Sequence, residues 1–321
     1  MLPMVVLVVL IVVNLVLLFL LFRPDQALTA EPADQDRGEG ALPAPGSSPT
    51  VTPSPSAATE QTTSPSPSAS KGATSSTEPI EPAPGQRLLF AVSSKTAWRA
   101  TVGDCDTPGR IERSTDAGAS WKLIDRTGLA PIVRLGAEPS GDLFTIGGSS
   151  RSCSARYVAY ANDGKVTAST NNPIDVWFPT PMDRDEINGP GGTKATPCKG
   201  HAVGFAPRNL SQALVICANG ATMSTRNSGK TWRQVGQIPN TLAIASAGGQ
   251  YWVAGAYEDC EGVTVQSLTE SSGSLTRGRI RCSPGPDVAA GQVAIDVTGD
   301  TIWLWLGDKV AVSKNNGRTW E

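Results

Sequence analysis

The chain has 321 residues and a net charge of −2, with one histidine and six cysteines. No Lys/Arg-rich run lies beside aromatic residues, so nucleic-acid binding is not expected. A single histidine excludes a multi-histidine metal site, and no cofactor is expected.

Composition divides the sequence into three zones. Residues 1–22 are apolar apart from Pro3 and Asn14 and are long enough to cross a bilayer as a helix. No Lys or Arg precedes the apolar run, and Ala27-Leu-Thr-Ala30 is a poor cleavage site, so an uncleaved transmembrane anchor is expected rather than a signal peptide. The nearest basic residue, Arg23, would by itself hold the bulk of the chain inside. The cysteines and the next zone argue for the other side, and the expected location is the cell membrane, single-pass, with the domain extracytoplasmic. Residues 23–86 are rich in Pro, Ser and Thr, as in Pro53-Ser-Pro-Ser and Ser64-Pro-Ser-Pro-Ser. With almost no large apolar side chains this zone cannot offset the entropy of folding and reads as a disordered stalk.

The third zone, 87–321, is large enough for one well-buried domain. Three copies of one short turn organise it: Ser114-Thr-Asp116-Ala-Gly118-Ala-Ser120-Trp121, Thr225-Arg-Asn227-Ser-Gly229-Lys-Thr231-Trp232 and Ser313-Lys-Asn315-Asn-Gly317-Arg-Thr319-Trp320. Each carries a hydroxyl residue, Asx, Gly, Ser or Thr and Trp at fixed offsets. The Asx side chain can accept from backbone N–H groups ahead of it, and Gly supplies the positive φ of a reversal. Two worn copies keep the glycine but lack the Trp, at Tyr160–Thr167 and Thr269–Thr276. Gly118, Gly164, Gly229, Gly273 and Gly317 therefore step by 46, 65, 44 and 44. A period in the mid-forties with only β-type patterning is the length of one four-stranded propeller blade. The long step is read as an insertion at 171–199, which gives five blades.

The turns resemble the Asp-box, or bacterial neuraminidase repeat, of sialidase-like and sortilin-like β-propellers. The resemblance covers about 87–321 and implies a five-bladed, all-β propeller of four-stranded antiparallel blades, preceded by one N-terminal transmembrane helix and the stalk. Blade 1 would take 88–93, 97–102, 110–114 and 121–125. Blade 2 would take 132–137, 143–147, 156–161 and 165–169, and blade 3 would take 202–206, 213–217, 221–225 and 231–235. Blade 4 would take 242–246, 251–256, 263–268 and 275–281. Blade 5 would take 293–297, 301–306 and 310–313, with a stub at 319–321. That stub leaves the closure of the ring unassigned.

Six cysteines in an exported chain imply three disulfides, with fifteen pairings open on paper. The blade topology places all six on the rim opposite the Trp turns and favours Cys105–Cys153, Cys198–Cys217 and Cys260–Cys282. The insertion is expected on the same rim. Its Trp177, Phe178, Asp183, Arg184, Asp185 and Glu186 form a candidate recognition surface for a protein or glycan, with a plug for the channel edge as the competing reading.

The resemblance to sialidases implies three arginines for a substrate carboxylate, a Tyr–Glu pair, an acidic general acid and an early Arg-Ile-Pro. The last is missing here. The arginines expected on that face, Arg110, Arg151, Arg156, Arg279 and Arg281, fall on loops and outer strands, and Tyr257-Glu258-Asp259 is the nearest acid pair. No catalytic residue is assigned. The expectation is a membrane-tethered binding or scaffolding module, with an atypical sialidase-like glycoside hydrolase as the alternative.

Overall fold

The computed structural model describes residues 85–321 apart from 126–127, 139–140, 162, 172, 174, 258–259 and 287. The expected stalk and anchor lie outside the described residues, and no helix among the described residues is long and apolar enough to cross a membrane. The domain is all-β and its strands form six sheets, which corrects the expected five blades, and the described residues contain no transmembrane helix.

Blade 1 is β1 (Arg87–Ala91), β2 (Ala97–Thr101), β3 (Arg110–Ser114) and β4 (Lys122–Asp125). Blade 2 is β5 (Leu129–Ala137), β6 (Leu143–Ser149), β7 (Ala155–Tyr160) and β8 (Val166–Asn171). Blade 3 has three short strands, β9 (Phe178–Pro179), β10 (Glu186–Asn188) and β11 (Lys194–Ala195). Blade 4 is β12 (Ala202–Pro207), β13 (Ala213–Cys217), β14 (Ala221–Thr225) and β15 (Arg233–Gln237). Blade 5 is β16 (Thr241–Ala247), β17 (Gln250–Gly255), β18 (Val263–Ser271) and an outer strand split into β19 (Ser274–Arg277) and β20 (Arg281–Ser283). Blade 6 is β21 (Val293–Thr298), β22 (Thr301–Leu306) and β23 (Lys309–Ser313). Within each blade the strands are antiparallel, and four blades follow chain order from the channel outward through a fourth strand. The residues read as an insertion at 171–199 thus hold a reduced blade, and the runs assigned to blades 3, 4 and 5 form blades 4, 5 and 6.

Middle strands read as apolar runs because both of their faces meet neighbouring sheets. Ala213-Leu-Val-Ile-Cys217 of β13 and Thr301-Ile-Trp-Leu-Trp-Leu306 of β22 are buried at every position. Inner strands alternate between joints. In β1, Leu89 and Ala91 pack on Trp303 and Trp305 of blade 6, whereas Leu88 and Phe90 pack toward blade 2.

Blade 3 is wedged by two adjacent side chains that point opposite ways, as strand geometry requires. Phe178 enters a cluster with Val133, Phe144 and Ile146 of blade 2. Trp177 enters one with Ala213 and Val215 of blade 4, edge-on to Phe205 and Trp232 at 5.8 and 6.4 Å. The Trp177 indole N–H donates to the Asn209 carbonyl (2.9 Å) in the β12–β13 turn, while Arg184 and Asp185, after β9, reach residues at the starts of β1 and β12. β9 therefore runs opposite to the inner strands of the other blades.

Ring closure, left open by the sequence, comes from contacts between blades 1 and 6. The Ala91 amide donates to Asp296 Oδ2 (2.7 Å) and the Trp303 indole donates to the Ser93 carbonyl (3.0 Å). Arg87 and Arg99 lie over Trp305 at 4.4 and 4.7 Å, and Arg99 also covers Trp121 at 4.2 Å while pairing with Glu112 at 2.7 Å. Such cation–π contacts contribute about 0.5–2 kcal/mol each. At the outer edge of β23, Glu321 exchanges two backbone hydrogen bonds with Val312 (2.9 and 3.1 Å).

Candidate functional site

Three places in the domain concentrate polar side chains: the Trp turns, the disulfide rim and the central channel. The turns come first because they fix the blades. In each, the hydroxyl of Ser114, Thr225 or Ser313 accepts the amide of Gly118, Gly229 or Gly317 at 2.9, 3.0 and 2.8 Å. The same hydroxyl donates to Asp116, Asn227 or Asn315 at 2.7, 3.1 and 3.0 Å. The Asx oxygen then accepts the amide of Ser120, Thr231 or Thr319 at 3.0, 2.9 and 2.9 Å. The Asx side chain also bonds the hydroxyl of that third residue in every copy. These bonds hold the Asp116 carboxyl down at a pKa of about 2, the Ser120 hydroxyl contributing most.

Gly118, Gly229 and Gly317 have φ of 88°, 79° and 79°. Each is also pressed by an adjacent blade: a Cβ at Gly118 would meet Val310 and Trp303, and one at Gly229 would meet Trp177. Two constraints therefore select glycine here, the backbone conformation and the neighbouring side chain. Trp121 is half-buried edge-on against Trp303 (6.4 Å), and Trp232 and Trp320 are likewise half-buried against inter-blade clusters.

At the opposite rim, disulfides join Cys105 to Cys153, Cys198 to Cys217 and Cys260 to Cys282, with Cα separations of 5.4, 5.4 and 5.7 Å. The first links the loops of blades 1 and 2; the others tie the entrance of blade 4 and the flank of blade 5. Each restrains the unfolded chain by about 2–4 kcal/mol. On the same rim, the Asp185 carboxylate pairs with His201 Nδ1 (2.6 Å) and accepts the Ala202 amide (3.3 Å), which pins blade 3 to blade 4.

The channel is a cavity of about 340 Å³ lined from all six blades. Its wall is mainly apolar, with Val133, Leu135, Phe144, Phe205, Leu242 and Ile295. Into it come Arg87 from β1, Arg134 from β5, Arg184 from the β9–β10 turn and Asp296 from β21. Arg134 donates through Nη1 to the Trp177 carbonyl and lies 5.4 Å from the Phe144 ring. Desolvation alone pushes its pKa down to about 10. Arg184 donates through Nη1 to the Gly85 carbonyl (2.7 Å), while its buried Nε has no hydrogen-bond partner among the described residues. Burial lowers its pKa against the raising effect of Asp185. Arg87 is lowered by desolvation too, countered by Asp308. Asp296 is pushed up to about 7 by burial, against the Ala91 and Val297 amides that favour its charged form. Such convergent, perturbed groups in an apolar cavity are where ligand chemistry concentrates.

The six residues expected on a recognition loop are divided by the fold. Trp177 (3% exposed) and Phe178 (2%) are core side chains that present no surface. Asp183 is exposed on the β9–β10 turn and Glu186 is half-buried in β10. Asp185 is engaged with His201, and of the six only Trp177 and Arg184 line the channel. The segment does not sit on the disulfide rim as a whole: 180–185 does, while Trp177 and Gly189–Gly192 lie at the Trp-turn rim. Tyr257 donates to the Pro239 carbonyl (3.1 Å), and its neighbours 258–259 lie outside the described residues. Among the described residues no three of His, Cys, Asp and Glu converge as metal ligands.

Sequence reasoning missed Arg87, Arg134 and Asp296. It started the first inner strand one residue late, at Leu88, and sought arginines only on loops and outer strands. The available signal was one charge inside an apolar inner-strand run, in Ile132-Val-Arg-Leu135 and Val293-Ala-Ile-Asp-Val297.

No family model and no curated protein matches the chain. Among solved structures it is similar to a functionally unknown protein from Desulfotomaculum acetoxidans (11% identity over 74% of this chain and 85% of that one, TM-score 0.42). It is similar also to TolB from Acinetobacter baumannii (13%, 71% and 63%, TM-score 0.40) and to the Aleuria aurantia lectin (12%, 76% and 96%, TM-score 0.46). The class defined by the sheets themselves is a six-bladed β-propeller.

Proposed function

We propose that this propeller is a non-catalytic member of the Asp-box superfamily and acts as an extracytoplasmic binding or scaffolding module. Its ligand, a protein or cell-envelope glycan, presents an acidic group to the channel mouth on the disulfide rim. The observation that carries this reading is the pair Arg134 and Arg184, two desolvated guanidiniums in an apolar cavity with no carboxylate paired to either among the described residues. A buried charge is costly unless matched, and an acid group entering the channel would match it bidentately. The three disulfides support an oxidising compartment. Attachment at the cell membrane belongs to the same proposal and rests on the apolar run 1–22. A pulldown from cell envelopes with the full chain, beside an array of acidic and neutral glycans, tests it. Acidic ligands should be retained by the wild type and lost with Arg134→Gln. Equal retention by the variant removes the reading.

A second reading, sialidase-like hydrolysis at an atypical site, is favoured by the arginines of the channel. A fluorogenic sialoside decides between the two. Turnover abolished by Arg134→Gln would replace binding with catalysis.

A further inference from the structure

A second concave site lies outside the channel, in the joint between blades 4 and 5 on the Trp-turn rim. At four of the five in-phase turn glycines, the covering group is carbon from the neighbouring blade. Ile124 covers Gly164, Trp177 covers Gly229, Val310 and Trp303 cover Gly118, and the aliphatic stem of Arg281 covers Gly317. At Gly273 the covering side chain is instead Arg233. An open groove of about 460 Å³ results, within the range of small-molecule sites, about 300–1,000 Å³.

The groove is polar and partly built. The Glu270 side chain is only 5% exposed, with Oε1 bonded by Arg226 (3.1 Å) and Oε2 by the Ser224 hydroxyl (2.8 Å). These bonds neutralise and aim the carboxylate, and they leave Oε2 free to accept once more. Arg233 is exposed, and its guanidinium has no hydrogen-bond or ion-pair partner among the described residues. Ser272 and Thr231 add hydroxyls at the lip. A fixed acceptor, a free planar guanidinium and two hydroxyls in one groove match a ring that carries both hydroxyls and a carboxylate.

We infer that the blade 4–blade 5 groove binds a sugar acid, with the carboxylate on Arg233 and a ring hydroxyl donating to Glu270. The site is separate from the channel and does not depend on the channel's ligand.

The test is calorimetric titration of the full chain with sodium D-glucuronate, D-glucose and sodium acetate. Glucuronate should bind, with glucose and acetate each at least about tenfold weaker. Arg233→Gln should weaken glucuronate about tenfold or more, the loss of one charge-assisted hydrogen bond. Glu270→Gln should bring glucuronate down toward acetate, and a thermal melt of each variant checks that it folds. In the Arg134→Gln background, which removes acid binding in the channel, glucuronate should still bind, and adding Arg233→Gln should abolish that remaining binding. Acetate binding as tightly as glucuronate, loss on Arg134→Gln but not on Arg233→Gln, or no glucuronate binding at all would each overturn the inference.

Discussion

Asp116 and Asp296 are carboxylates with opposite environments, and each has its own pH dependence. Asp116 is held near a pKa of 2 by the hydroxyls and amides of its turn. A depressed folded pKa contributes stability that is complete above the unfolded value of about 4 and lost as pH falls toward 2. Asn occupies the same place in the other two turns and keeps the same acceptor. Asp116→Asn should therefore leave neutral stability nearly unchanged and flatten the acid limb of a melting-temperature profile between pH 4 and 2. Asp296 behaves the other way. Its folded pKa, raised to about 7, favours the fold below pH 4, and that contribution fades as pH rises to 7. Asp296→Asn, which can still accept from Ala91, should remove this decline. If wild type and variant melt in parallel across pH 4–7, the buried carboxyl is not the titrating group. Asp116 could be found in the sequence because it repeats in register. Asp296 and Arg134 occur once each, and their meaning depends on inner strands far apart in sequence meeting at one axis.

Strands with uninterrupted apolar or alternating runs were legible. The segments 97–102, 213–217 and 301–306 stand within a residue of the observed β2, β13 and β22. Blade 3 was not legible for physical reasons. Its strands are two or three residues long, and prolines at 173, 179, 181, 190 and 197 break any alternation. Its turn, Gly189-Pro-Gly-Gly192, carries glycine but neither the Asx nor the Trp of the other turns. Its stability rests on the opposed side chains Trp177 and Phe178 rather than on its ladder. Trp177→Ala should cost about 3–5 kcal/mol in denaturant unfolding. Gly229→Ala, which sets a Cβ against Trp177 at a φ of 79°, should cost about 1–3 kcal/mol. A loss under 1 kcal/mol for Trp177→Ala would mean that blade 3 is not wedged between its neighbours.

At the scale of the domain, the count of blades and the site follow from one another. With five blades, 171–199 is a surface loop and Arg184 belongs to solvent. With six, the same segment becomes a wall of the channel, Arg184 turns inward, and Trp177 supplies the carbonyl that orients Arg134. The five in-phase glycines are also a whole-molecule property, since each marks where one blade presses on the next.

Hydrogen exchange across 172–199 in the full chain is the most direct measurement of that claim. The amides of Thr180, Glu186 and Thr196, bonded to the carbonyls of Glu186, Asp183 and Asp185 at 2.8, 3.0 and 2.7 Å, should exchange as slowly as the outer strands of blade 4. Exchange of this segment at unfolded rates, with β13 still protected, would contradict a six-bladed ring.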